Sequence, residues 1–245
     1  MKKLLITIAL AAVGTSAFAQ GEVFFQNQNT TKIYTNSAPG GVATGQTGTT
    51  GATYYYALFY STSQSSINGS TAGDIGANAA LAAGLSAGTN TPGVTAATYA
   101  FQSGWTLATS GGSALLGTNT STAGRFASPV GDSGNNTVVD GVASGASAYF
   151  TVVGWSANIG STVAALEAWY AAPGVTGWVG ESQITGLLTA GNGGSTPTPQ
   201  LFNNGAAGGA VPTFTLGEVL ATPEPASMAL VALGGASLLL FRRKK

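Results

Sequence analysis

Two long stretches of the chain alternate with a period of two, and they set the frame for the rest. In residues 53–61, Tyr54, Tyr56, Leu58 and Tyr60 fall on one face and Tyr55, Ala57 and Phe59 on the other. In residues 146–156, Tyr149, Thr151, Val153 and Trp155 share one face, and Phe150, Val152 and Gly154 share the other. Apolar side chains on both faces predict strands covered on both sides, either central in a sheet or buried by a second one. Shorter β-prone runs occupy residues 22–27, 33–34, 94–101, 105–108, 138–139, 178–188 and 213–220. Gly-, Ser-, Thr- and Asn-rich segments at 39–51, 111–124, 132–136 and 196–199 read as turns and loops, with Phe126 packing inward beyond one of them.

The period changes once clearly. Across residues 158–172, Val163, Leu166 and Tyr170 recur at helical spacing, Ser161 is placed to cap the start, and Pro173-Gly174 to end it. A second short helix is predicted over 77–85, with Asp74 near its start and Gly84 or Gly88 near its end. Many short strands, frequent turn residues and one or two short helices predict an all-β body, a β-sandwich or jelly-roll-like fold.

The two ends of the chain carry a different pattern. Lys2 and Lys3 precede an apolar run over residues 4–13, and Ala17-Phe18-Ala19 forms a small-x-small site. Residues 1–19 therefore read as a secretory signal peptide for the Sec export machinery, with cleavage between Ala19 and Gln20. At the other end, Pro223-Glu224-Pro225 precedes an uncharged run over residues 226–241, followed by Arg242, Arg243, Lys244 and Lys245. As a helix that run is roughly 24 Å long, enough for a thin bilayer once the basic end snorkels. The four cations stay cytoplasmic, which places the body, residues 20–221, across the membrane.

This tripartite end, residues 222–245, resembles the PEP-CTERM sorting signal of Gram-negative bacteria. The resemblance implies recognition by an exosortase at Pro223, Glu224 and Pro225, and a transmembrane sorting helix that anchors the chain transiently in the inner membrane. It further implies removal of the tail and delivery to the cell surface or extracellular matrix. An ordinary single-pass anchor with a proline-rich stalk is the alternative; both put the body outside the cytoplasm. Within the body, the strand ending in Gly154-Trp155, the Gly160-Ser161 helix start and Gly180-Glu181-Ser182 resemble a group of uncharacterised PEP-CTERM proteins of verrucomicrobial genomes. That resemblance brings no catalytic site.

Composition narrows the chemistry. The formal charge of the full chain is zero, but residues 20–221 hold two cations, Lys32 and Arg125, against seven acids, a net of −5. Such a body has no electrostatic footprint for nucleic acid or anionic lipid. The chain lacks cysteine, so no disulfide holds it, and lacks histidine, which excludes a Ser-His-Asp site or a His-ligated zinc. Asp132, Asn135, Asn136 and Asp140 contain calcium-type oxygens, but their spacing is not that of an EF-hand and reads as a solvated turn. Glu167 and Glu181 are the obvious carboxylate pair for glycan hydrolysis; a helix-surface position for Glu167 is the simpler reading. Tyr54, Tyr56, Trp105 and Trp178 are candidate glycan-stacking aromatics, although at strand spacing such residues more often form core. The expected protein is a non-enzymatic, exported surface or matrix protein with no cofactor or metal, structural or adhesive in exopolysaccharide or biofilm. The alternatives are a carbohydrate-binding module that contacts extracellular polysaccharide and, behind it, a carboxylate-based glycan-active enzyme.

Overall fold

The two long alternating stretches become neighbouring strands and pair with each other. The computed structural model describes residues 20–36, 45–48, 53–63, 66–67, 70–71, 104–128, 136–171, 174–182, 184–192, 194–203, 210 and 213–219. The early strands are β1 (Gln20–Val23), β2 (Tyr34–Asn36), β3 (Gly45–Gln46), β4 (Tyr54–Ser61), β5 (Ser66–Ile67) and β6 (Ser70–Thr71). The middle of the chain forms β7 (Thr106–Leu107), β8 (Thr109–Ser110), β9 (Ser113–Ala114), β10 (Leu116–Asn119), β11 (Phe126–Ala127) and β12 (Thr137–Ala143). Then come β13 (Ser147–Ser156), helix α1 (Val163–Ala171), β14 (Gly177–Glu181), β15 (Leu188–Thr189) and β16 (Thr215–Val219).

β4 and β13 run antiparallel over eight residue pairs, from Tyr54 opposite Ser156 to Ser61 opposite Tyr149. They lie inside a ten-stranded sheet of order β11-β10-β4-β13-β14-β16-β2-β3, with β7 added to β4 and β15 to β13. Its pairings are antiparallel except that of β16 with β2. β1 and β12 form a separate antiparallel ribbon.

Each face of the sheet buries one half of the alternation. Tyr56, Leu58, Phe150 and Val152 pack under the β1–β12 ribbon, which contributes Val23, Val139 and Val142, and under Phe25, Phe126, Phe202 and Phe214. Phe126 stacks on Tyr56 at 4.4 Å and meets Phe25 and Phe202 edge-on at 5.3 and 5.6 Å. On the opposite face, Ala57, Phe59, Val153 and Trp155 pack against Val163, Leu166 and Trp169 of α1, together with Trp105 and Ile184. Full burial of one large apolar side chain is worth ~1.5–3 kcal/mol. Double cover is thus the reason both faces of these strands are apolar.

Buried loops need internal polar partners. Asn27 is fully buried; its amide donates to the Thr31 and Gly124 carbonyls at 2.7 and 2.8 Å and accepts the Phe126 N–H at 2.8 Å. The Arg125 guanidinium donates to the Asn27 backbone carbonyl at 3.1 and 3.3 Å. One side chain therefore joins the end of the first extended segment, the turn after it and the entry to β11.

Several local readings need correction. Residues 111–124, which look like a loop, contain β9 and β10: Gly111 and Gly112, at φ 58° and 78°, form the two-residue turn joining β8 to β9. Their shortness and sparse apolar content hid the strands, which form by pairing with β8 and β4. Within the 39–51 segment, residues 45–46 pair with β2. The first strand stops at Val23, and Phe24 and Gln26 make only isolated bridges to Gln200 and Ala127. Thr162, not Ser161, caps α1: its Oγ1 accepts the Ala165 N–H at 3.1 Å. The buried side of the helix is Val163, Leu166 and Trp169. Residues 1–19, the 77–85 helix, the 94–101 strand and the 222–245 tail lie outside the described residues. Among the described residues no helix is long and apolar enough to cross a membrane.

Candidate functional site

The last strand of the body leads into the C-terminal tail, and its place in the sheet is internal. β16 lies between β14 and β2, with Val219 opposite Gly177, Glu218 opposite Trp178 and Gly217 opposite Asn36. Pro223 is four residues beyond Val219, so at most about 14 Å of extended chain separates the sheet from Pro223-Glu224-Pro225. The other end is equally close to structure. Gln20, where the signal peptide is predicted to be cut, is the first residue of β1, and its amide donates to Asp140 Oδ1 at 2.9 Å.

The end of the sheet from which the tail leaves carries a row of side chains drawn from five adjacent strands. Asn119 Oδ1 accepts the Tyr54 N–H at 2.9 Å; Tyr54 is opposite Ser156; Ser156 Oγ accepts the Trp178 N–H at 2.9 Å; Trp178 is opposite Glu218. At the usual strand spacing Tyr54 and Trp178 are about 10 Å apart. Both are half-buried and pack on the ribbon side of the sheet. Partial burial pushes the Tyr54 hydroxyl above its ordinary range. Asn119, Ser156 and Glu218 carry no local signal that would have grouped them, because sheet pairing alone brings them together.

The other two named aromatics are core. Tyr56 is fully buried, and its hydroxyl is pushed well upward by that burial, although Thr47 at 3.1 Å and Asn119 at 3.4 Å hydrogen-bond to it. Trp105 is 7% exposed within the helix-side cluster. A ring packed on both faces has none left for a sugar, so stacking by Tyr56 or Trp105 does not survive. Trp155 and Trp169 are buried as well. Their indole N–H groups donate to the carbonyls of Gly160 and Val175, each at 2.8 Å, fastening the chain just before and just after α1.

The described acids differ in burial and partners. Glu167 is exposed on α1, whereas Glu181 is 5% exposed on β14 and accepts the Thr151 hydroxyl at 3.4 Å. Beside it, Ser182 Oγ accepts the Val152 N–H and Thr185 Oγ1 the Phe150 N–H, so side chains continue the ladder where β14 ends. Asp140 belongs to the ribbon. Partial burial raises its carboxyl, but hydrogen bonds from Gly112 N–H, Thr109 hydroxyl, Gly111 N–H and Gln20 outweigh this and hold it below the usual carboxylate range. Asp132 and Asn135 lie outside the described residues; Asn136 is described, directly before β12.

Comparison with known proteins bears on the tail. No curated protein and no solved structure matches the chain. Residues 221–244 match the family model of the PEP-CTERM protein-sorting motif. Two residues past the last strand of its sheet, the chain thus carries the sorting motif of an exported protein that an exosortase processes.

Proposed function

We propose that this is a non-enzymatic surface or extracellular-matrix protein whose β body is structural or adhesive within exopolysaccharide or biofilm. On this reading the Sec machinery exports it, residues 226–241 hold it briefly in the inner membrane, and exosortase cleavage releases the folded body. The observation that carries the reading is the sorting motif at residues 221–244, set directly after β16. The body adds to it: the Asn27 and Ser182 side chains use their hydrogen bonds to join segments, and Glu167 is exposed where Glu181 is buried. A carbohydrate-binding role would fall to Tyr54 and Trp178.

The test is cell fractionation of an exosortase-bearing host expressing the full chain or a chain lacking residues 221–245, with intact mass measured on the surface fraction. The full chain should reach the surface with both ends trimmed, and the truncated chain should stay in the periplasm. Equal surface delivery of the two would refute sorting by the tail. Release of new reducing ends from matrix polysaccharide by the purified body would refute the non-enzymatic reading.

A further inference from the structure

The place where the tail leaves the sheet also says what the body faces before it is cut free. The tail departs from β16 beside Trp178, and Tyr54 stands two strands away in the same row. Val175, two residues before β14 begins, is 44% exposed and follows the helix back to this same end. Glu218 is the single charged side chain of the row. Trp and Tyr with one polar tip and a half-covered ring are the side chains that favour the water–lipid interface. Ala226, where the apolar run starts, is seven residues from Val219, a reach of at most about 25 Å. A tether that short raises the effective concentration of one partner near the other to the millimolar range, so weak attraction is enough for contact.

We propose that, while the anchor is in the bilayer, the sheet end bearing Tyr54, Trp178 and Val175 rests on the lipid headgroup interface of the membrane. This rests on the reading of residues 226–241 as a membrane anchor. Resting there holds the Pro-Glu-Pro segment at the membrane surface, within reach of a membrane-embedded processing enzyme. Cleavage then removes the tether, the local concentration falls, and the same surface lets go.

The experiment uses the full chain in vesicles of phosphatidylethanolamine and phosphatidylglycerol, with and without lipids brominated at shallow acyl positions. Trp105, Trp155 and Trp169 are buried, so subtracting the spectrum of Trp178→Phe isolates the Trp178 emission. That component should be quenched at least twofold by the brominated lipid, and its quenching by aqueous acrylamide should fall by a similar factor. Both effects should vanish when the tail is cut. A chain that floats with vesicles but whose Trp178 emission ignores the brominated lipid overturns the docking proposal alone. A chain that fails to float overturns the anchor reading itself. Protection from acrylamide by soluble polysaccharide without vesicles, and none from lipid, would assign the row to glycan instead.

Discussion

Asn27 offers the sharpest test of how the body is held together. Its side chain makes three hydrogen bonds of 2.7–2.8 Å with no access to water, and they reach segments up to 99 residues away in sequence. Asn27→Ala removes all three. Each is worth roughly 1 kcal/mol net, and buried groups left without a partner cost roughly 1–3 kcal/mol more. Gly124 O keeps a second donor, the Ile33 N–H at 2.8 Å, which limits that extra cost. The expected loss is about 4 kcal/mol, which for a domain of this size lowers Tm by roughly 8–16 °C. Asn27→Asp refines the test, because it preserves shape and the acceptor for Phe126 N–H. The new carboxylate faces two carbonyls in a buried site, so the fold favours its protonated form and its folded-state pKa rises above the unfolded ~3.9. The deficit should therefore be smallest near pH 3–4 and grow as pH rises through the folded-state pKa. The Arg125 guanidinium, bonded to the Asn27 backbone carbonyl, offsets part of it without reversing the sign. Urea midpoints from pH 3 to 8, each referred to the unsubstituted protein, are the readout. A Tm change under 2 °C for Asn27→Ala, or a flat pH profile for Asn27→Asp, would refute the clamp.

Two further perturbations probe the ribbon. Because the folded-state pKa of Asp140 is depressed, its stabilising contribution is complete above the unfolded value of ~3.9 and is lost as pH falls through the folded one. The gap in urea midpoint between the native chain and Asp140→Asn should accordingly shrink between pH 6 and pH 3; a gap that widens on acidification would contradict the hydrogen bonds assigned to it. Gly141, at φ 84°, has no room for a Cβ against the Tyr60 hydroxyl, whereas Gly145, at φ 75°, faces open space. Both alanine substitutions should cost about 1–2 kcal/mol for the backbone alone, with Gly141→Ala costing more in denaturant titration; equal losses would show that Tyr60 simply moves aside.

Different parts of this protein were legible in the sequence for different reasons. The sorting tail and the predicted leader are linear signals, defined by the order of charged, apolar and small residues along the chain, so residue order alone carries their meaning. β4, β13 and α1 were also visible, since strand and helix periods are properties of consecutive residues and these segments are long enough to show them. β9 and β10 were hidden because two to four residues among Ser, Thr and Gly display no period; they are strands only because β8 and β4 offer ladders to join.

The alternation in β4 and β13 required both faces to be covered, but it could not say by what. The ribbon supplies one cover and α1 the other, and that choice depends on pairing between segments far apart in the chain. The same is true of the aromatics. Tyr54 and Tyr56 share a face and nearly a position, yet one reaches the rim and the other is enclosed, because Phe126, Phe214 and Thr47 close over Tyr56 alone. Propensity and periodicity act along a few residues. Burial, register and the row from Asn119 to Glu218 arise only when the free energy of covering apolar surface brings distant strands together.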